Sequence, residues 1–219
     1  MLNVIFDIDG TLIESAKFDA ELYSKAVVDI LGNVTFRDEW SDYSHVTDNG
    51  ILEQLLEDNE LESSPEIFHN VRTRFSALIE QYLSSNACRA KPGVLETLIL
   101  MNNNQDYNCG IATGGWGITA RMKLQSAGID TSWMPLFSSD DHYIRSEIMR
   151  LCYKCITPNG GDVVYIGDGC WDVEASANLG WNFIGVGDGL KGVSDLWILD
   201  FIDPAFGELL DELLRKSKR

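Results

Sequence analysis

Two aspartates one residue apart follow the first apolar run of the sequence. The run extends from Leu2 to Phe6, and the segment Asp7-Ile-Asp-Gly-Thr11 comes directly after it. A short apolar run that ends in acidic residues and a glycine is typical of a buried strand. The Asp7 carboxylate can attack phosphorus, and Asp9 can protonate a leaving oxygen and then deprotonate a water molecule. A metal ion between Asp7 and a phosphate would remove the repulsion between the two anions.

Two further polar segments follow later apolar runs. Thr113, Gly114 and Gly115 come after the run that ends at Ala112, and their hydroxyl and backbone amides can hydrogen-bond phosphate oxygens. Asp168 ends the fourth such run and is suited to hard-metal ligation together with Asp7. Asp172 lies one helical turn further, where it can bind the metal or orient its waters.

Alternating strand and helix patterns surround these segments. Because strands and helices alternate, we expect an α/β fold in which helices cover both faces of a parallel sheet. Ligands bind at the carboxyl ends of the strands in such sheets. The predicted strands after the first are Tyr107–Ala112, residues 136–138, Val163–Ile166 and Phe183–Val186; the predicted helices between them are Ile118–Ala127, Ile144–Cys155 and Val173–Leu179.

The alternation is interrupted between the first two strands. Helical patterns cover residues 20–31, 50–56 and 67–83, and the last has one apolar stripe at helical spacing. An all-helical insertion at this position predicts a cap over the sheet. We therefore divide the chain into a core domain, residues 1–14 and 91–219, and a helical cap domain, residues 15–90.

The polar segments together resemble the motifs of the haloacid dehalogenase superfamily, in their usual order. The helical insertion resembles the α-helical cap of phosphoglycolate phosphatase-like and β-phosphoglucomutase-like members. The resemblance spans essentially the whole chain and implies a Rossmann-like core, Mg²⁺ as cofactor, a phosphoenzyme on Asp7 and Asp9 as general acid/base. It also implies Mg²⁺ contacts from Asp7, the Asp9 backbone carbonyl and Asp168, with Asp172 ligating or supporting.

One motif departs from the family pattern. The third motif is usually a lysine, but the segment from Ser138 to Ile148 contains none. Arg145, at the start of the following predicted helix, is our candidate for its role in catalysis and phosphate binding. An arginine can bridge Asp7 and the phosphate as a fork, although it is bulkier than a lysine.

Three residues are candidates for substrate contact. The polar stretch with His45 and Thr47 opens a predicted helix in the region that faces the active site in the family. Thr47 and Asp48 fit equally well as plain helix N-caps, and a lone histidine such as His45 is commonly structural. Trp116, just after the predicted phosphate-binding segment, can stack on a substrate ring or pack under the cap.

The bulk composition limits the partners. The formal net charge of −17 argues against nucleic acids and anionic membranes. No apolar run reaches the ~18 residues that span a bilayer, and the first strand begins at about residue 2, so we expect no signal peptide and a cytoplasmic location. A small phosphorylated metabolite is the expected partner.

Several alternatives remain open at this point. The glycine pattern from Gly187 to Gly192 matches a dinucleotide signature, but the next apolar segment follows too soon for a crossover helix, so we interpret it as a loop. A phosphomutase keeps the same core residues as a phosphatase. A weakly active binding or regulatory protein on the same scaffold is the alternative from another class, and Arg145 is its best support.

Overall fold

A parallel sheet of six strands forms the centre of the computed structural model, which describes residues 1–157 and 160–217. The strand order is β3-β2-β1-β4-β5-β6. The strands are β1 (Leu2–Phe6), β2 (Tyr107–Ala112), β3 (Leu136–Phe137), β4 (Val163–Gly167), β5 (Asn182–Val186) and β6 (Trp197–Ile198). The predicted α/β class with a parallel, Rossmann-like sheet is confirmed.

Helices fill the connections between the strands. The helices are α1 (Ala16–Leu31), α2 (Asp48–Asp58), α3 (Pro65–Leu83), α4 (Val94–Asn102), α5 (Gly117–Ser126), α6 (Arg145–Ile156), α7 (Cys170–Leu179) and α8 (Pro204–Ser217), with short 3₁₀ helices at Trp40–Asp42 and Asp188–Leu190. Within the described residues, no helix has the length and apolar character needed to cross a bilayer. The glycine pattern from 187 to 192 forms a loop with one 3₁₀ turn, as its short span predicts.

The central strands are apolar because helices cover both of their faces. Every residue of β1 and β4 is buried, which explains the continuous apolar runs that mark them in the sequence. β1 lies between β2 and β4, and its last residue, Phe6, pairs with Ile111 on one side and Ile166 on the other. This register places the residues that follow the three strands at one edge of the sheet.

Helices α1, α2 and α3 form the helical insertion and pack around a second hydrophobic cluster, which Trp116 from the loop after β2 also joins. Its fully buried members include Leu52, Leu55 and Phe75. Within the described residues, α1 and α3 pack against each other more extensively than any other two helices do. Helix α3 begins at Pro65, two residues before the predicted helical pattern, because Ser64 accepts a hydrogen bond from the Ile67 amide and Pro65 occupies the first turn. The division into cap and core domains stays a prediction, which this separate cluster supports; residues 158–159 and 218–219 of the predicted core lie outside the described chain.

Candidate active site

The carboxyl ends of three neighbouring strands bring Asp7, Thr113 and Asp168 together. The Asp7 amide donates to the Ile166 carbonyl at 2.9 Å, so β1 and β4 stay paired up to the first aspartate. One carboxylate oxygen each from Asp7, Asp168 and Asp172 lie within 4.8 Å of one another. The sheet edge therefore gathers acidic side chains from distant parts of the sequence.

This carboxylate cluster carries uncompensated negative charge. Burial raises the pKa of Asp7 well above its ordinary value, and Asp172 adds to the shift although Arg145 opposes it. Burial and then Asp172 also raise the pKa of Asp168, to about 7. Buried oxygen ligands that repel one another fit a hard divalent cation. The donor set therefore fits Mg²⁺.

Gly10 lets the loop after β1 pass close to this cluster. Its φ of 80° lies in the left-handed region, and a Cβ atom at this position would overlap the Asp168 carboxylate. A side chain here would thus be strained and would displace Asp168. The Thr11 hydroxyl, one residue on, donates to Asp168 Oδ1 at 3.3 Å.

Asp172 is occupied by contacts within the protein. It is completely buried in the first turn of α7, where its Oδ2 accepts a hydrogen bond from the Gly169 amide at 3.1 Å. Its Oδ1 accepts from Arg145 Nη1 at 2.9 Å. Each oxygen has one partner within the protein, while one of them lies within 4.8 Å of the Asp7 and Asp168 oxygens, so ligation and support by Asp172 both stay predictions.

Arg145 begins α6 and reaches the cluster from the side. Its Nη1 lies 3.5 Å from Asp7 Oδ1, in addition to the contact with Asp172. Its Nη2 donates to the Val46 carbonyl of the helical insertion at 2.8 Å. A Cβ at position 114 would overlap this guanidinium, so Gly114 is what allows the arginine to cross the loop after β2. Arg145 therefore stands beside Asp7, where the family pattern has a lysine.

A buried lysine that the sequence interpretation missed holds Asp9. Lys123, on α5, has a side chain that is 0% exposed, and its Nζ lies 2.6 Å from Asp9 Oδ1 and 2.5 Å from Asp19 Oδ1. Burial lowers the pKa of Lys123, but Asp19 and Asp9 outweigh burial and leave the pKa above its ordinary value. Asp19 belongs to α1, so the Lys123 ammonium connects the helical insertion to Asp9 in the loop after β1. The Ser15 hydroxyl also donates to Asp9.

The first turn of α2 docks on the loop after β2. The Asp48 amide donates to the Gly114 carbonyl at 2.8 Å, and Asp48 Oδ2 accepts from the Trp116 amide at 2.6 Å. Thr47 is the N-cap of α2, since its hydroxyl oxygen accepts from the Gly50 amide, and it also donates to the Tyr143 carbonyl. The insertion is therefore held against the predicted phosphate-binding segment by one backbone hydrogen bond and by one from a backbone amide to the Asp48 carboxylate.

These groups line a cavity of about 160 Å³ between the sheet edge and the helical insertion. The sheet side contributes Asp7, Asp9, Thr113, Gly114, Arg145 and Asp168, and the insertion side contributes Asp19, Tyr23, Trp40, Thr47 and Asp48, among others. All the predicted catalytic residues thus face one cavity.

The three predicted substrate contacts are placed differently from one another. Thr47 lines the cavity while it caps α2. Trp116 is 1% exposed and packs in the hydrophobic cluster of the helical insertion, with its indole N–H donating to Asn49. The packing alternative therefore describes Trp116, and its ring is not available for stacking on a substrate. His45 lies in a neighbouring cavity, with its ring edge against Tyr143, and does not line the main one.

A family comparison agrees with this geometry. The model of the haloacid dehalogenase-like hydrolase family matches residues 4–186 of the chain. None of the curated proteins matches the sequence.

Solved structures share the fold at low sequence identity. A hydrolase from Pseudomonas syringae is 21% identical with a TM-score of 0.76, covering 97% of this chain and 99% of its own. A β-phosphoglucomutase from Clostridium difficile is 18% identical with a TM-score of 0.73, and all of both chains is covered. A predicted phosphoglycolate phosphatase from Haemophilus somnus is 20% identical with a TM-score of 0.63, covering 95% of this chain and 96% of its own.

Proposed function

This chain belongs to the haloacid dehalogenase-like hydrolase family, and from that membership we propose that it is a Mg²⁺-dependent phosphatase of a small phosphomonoester. The observation that carries the proposal is the juxtaposition of Asp7, Asp9, Arg145 and Asp168 around one cavity. A nucleophile, an acid/base, a cation and a metal ligand are the groups that such a hydrolysis requires.

The proposed reaction has two steps. A carboxylate oxygen of Asp7 attacks phosphorus, the bond to the ester oxygen breaks, and Asp9 gives its proton to the leaving alcohol. Asp9 then takes a proton from a water molecule, whose oxygen attacks the phosphorus of the aspartyl phosphate. The bond from phosphorus to Asp7 breaks, which releases inorganic phosphate and restores both carboxyl groups.

The metal would be held at the carboxylate cluster. We assign its ligands to Asp7, Asp168 and the backbone carbonyl of Asp9, with Asp172 as support because its oxygens already bind Arg145 and Gly169. When bound, Mg²⁺ neutralises negative charge between the phosphate and Asp7.

Arg145 and the loop after β2 are assigned to the phosphate. Arg145 lines the cavity, and its Nη1 lies 3.5 Å from Asp7 Oδ1. A guanidinium beside the nucleophile would hold phosphate oxygens through charge-assisted hydrogen bonds. Thr113 and Gly114 line the same part of the cavity and would contribute a hydroxyl and backbone amides.

Metal removal tests this function. We expect the purified chain to hydrolyse p-nitrophenyl phosphate or acetyl phosphate in Mg²⁺, EDTA to reduce the rate to background, and added Mg²⁺ to restore it. Release of inorganic phosphate is the measurement. Full turnover in EDTA would refute the metal assignment.

The same assay separates the two alternatives. With a panel of phosphorylated metabolites in Mg²⁺, a phosphatase releases inorganic phosphate, whereas a phosphomutase converts one ester into another and releases little. A binding or regulatory protein does neither. The mutase shares Asp7, Asp9 and Asp168 with the phosphatase, so product analysis is the distinguishing observation.

Replacing Arg145 by alanine should reduce kcat/KM for p-nitrophenyl phosphate by ~10²- to 10³-fold, the usual cost of losing one charged donor at the reacting group. Arg145→Lys keeps the positive charge but not the two parallel N–H donors of the guanidinium, so its kcat/KM should fall less than that of Arg145→Ala. Steady-state kinetics measure both variants.

Arg150 provides the matched control on the same helix. It pairs with Glu147 at the surface, where its side chain is 44% exposed, and a surface pair contributes little. Arg150→Ala should therefore retain parental kinetics. Parental kinetics in Arg145→Ala as well would assign Arg145 a structural role only.

A further inference from the structure

The helical-insertion side of the cavity is acidic and aromatic. Asp19 of α1 and Asp48 of α2 line it, and the rings of Tyr23 and Trp40 complete it. In the proposed reaction the phosphate lies at the sheet edge, so this opposite side receives the leaving group. The chemistry of these side chains therefore indicates which alcohol the phosphate is attached to.

Asp48 offers a carboxylate oxygen that nothing in the described chain occupies. The residue is only 8% exposed. Its Oδ2 accepts from the Trp116 amide, whereas no donor among the described residues is bound to its Oδ1. The nearby Tyr23 hydroxyl does not serve it, because that hydroxyl donates to the Asp48 backbone carbonyl at 2.7 Å. Because Asp48 lines the cavity and its Oδ1 is not sealed off from it, a ligand that donates a hydrogen bond or brings positive charge would be favoured there.

The charges on this side do not balance. When Asp9 carries the proton that it gives to the leaving alcohol, Lys123 and Asp19 form a neutral pair, and the Asp48 carboxylate remains as the excess negative charge on this side. Arg145 is engaged by Asp7 and Asp172 at the other end. Among the described residues that line the cavity, Arg145 is the one cationic side chain. Burial and then Asp19 raise the pKa of Asp48 well above its ordinary value, although Lys123 opposes the shift.

A negatively charged leaving group would be repelled by the carboxylates on this side of the cavity. A carboxylate or a second phosphate would face two carboxylates in a site with little screening, where like charges repel strongly. A phosphomutase must accommodate a bisphosphate during its cycle, so the same argument counts against the mutase alternative. An ammonium group, by contrast, compensates the carboxylates and is attracted to the faces of tyrosine and tryptophan rings.

We infer that the substrate is the phosphate ester of an amino alcohol, whose ammonium group binds between Asp19, Asp48 and the ring of Trp40. This inference rests on the proposed phosphatase function, because that function assigns the phosphate to the sheet edge. It adds the charge of the leaving group, which the family does not specify.

Three esters with two-carbon leaving groups test the inference. Ethanolamine phosphate, 2-hydroxyethyl phosphate and phosphoglycolate differ in the terminal group, which is an ammonium, a hydroxyl or a carboxylate. Binding to the full-length Asp7→Asn variant in Mg²⁺ is measured by calorimetry, so that turnover does not interfere. We expect ethanolamine phosphate to bind ~100-fold more tightly than phosphoglycolate, with the hydroxyl ester between them.

Two isosteric substitutions and a control locate the preference. Asp48→Asn and Asp19→Asn, each added to that variant, should reduce the ratio of the affinities for ethanolamine phosphate and phosphoglycolate by ~10-fold. Glu57→Gln makes the same charge change on α2 at an exposed position outside the cavity and should leave this ratio of affinities unchanged. Circular dichroism confirms folding of each variant.

Each outcome decides one claim. Equal or tighter binding of phosphoglycolate, a ratio of affinities that both substitutions leave unchanged, or no binding of ethanolamine phosphate where inorganic phosphate binds would overturn the inference. Turnover of p-nitrophenyl phosphate by the parent chain is measured in parallel. If the parent is active without the charge preference, only the inference fails; if the preference holds without activity, only the proposed phosphatase function fails.

Discussion

Replacing Asp7 by asparagine should lower turnover of p-nitrophenyl phosphate by ~10⁴-fold or more, because the amide oxygen of asparagine is a poor nucleophile toward phosphorus. The side chain keeps its shape, so contacts around it are preserved. Burial and Asp172 raise the pKa of Asp7 in the folded state, and removing the charge relieves that repulsion. The thermal midpoint without metal should therefore equal or exceed that of the parent.

Asp188 gives a matched control for this substitution. It follows β5 at the same edge of the sheet but is exposed and lies outside the cavity. Asp188→Asn should retain parental turnover. If Asp7→Asn retained it too, the nucleophile would have to be sought elsewhere.

Replacing Lys123 by methionine should lower the free energy of unfolding at pH 7 by about 3–5 kcal/mol. Methionine fills a similar volume, but it leaves the Asp9 and Asp19 carboxylates without the ammonium that bridges them at 2.5 to 2.7 Å. Removing one member of a buried ion pair is costly because the remaining charges stay desolvated. Urea denaturation monitored by circular dichroism measures the loss.

The loss should shrink as the pH falls. The pKa of Asp19 is already raised to about 6 by burial although Lys123 opposes the shift, against an ordinary value of 3.8. Without the lysine it rises further, so the folded variant binds a proton at pH values where the unfolded chain does not. Linkage then makes the variant more stable relative to the parent as the pH decreases from 7 to about 6; below that pH the Asp19 of the parent also binds a proton, so the difference stops shrinking.

Two companion variants test this explanation. Adding Asp19→Asn to Lys123→Met should recover part of the lost stability, because one unpaired carboxylate is removed. Lys154→Met, at an exposed position of α6, should change the free energy of unfolding by less than about 0.5 kcal/mol. A Lys123→Met variant as stable as the parent would contradict the bridge.

The sheet was predictable because its central strands are continuous apolar runs. The strand Tyr107–Ala112 has the bounds that the sequence predicts, and β1 and β4 lead directly into their aspartates. The predicted first residues of the helices were less accurate than the predicted strands. Helix α1 begins at Ala16, four residues before the prediction, because its first turn contains the polar residues Lys17 and Asp19, which an apolar stripe does not reveal.

The bridge formed by Lys123 was not predictable from a strand or helix pattern. A lysine in an amphipathic helix usually faces solvent, and its two partners come from segments more than 100 residues away. One signal was present, since Lys123 shares a helix face with the buried Ala120, three residues before it. A charge on an apolar stripe indicates a buried partner, but the sequence does not say which carboxylate it is.

The buried Lys123 also limits which part of the helical insertion can move. Swinging α1 outward would separate Asp19 from Lys123 and leave charges of both signs unpartnered, so α1 stays fixed to α5. The segment from residue 32 to Val46 holds only one 3₁₀ turn and reaches the sheet side through the Arg145 contact with the Val46 carbonyl. We therefore expect the exit route for phosphate and alcohol to open beneath this segment, while the helix beside the acid/base keeps its place throughout the cycle.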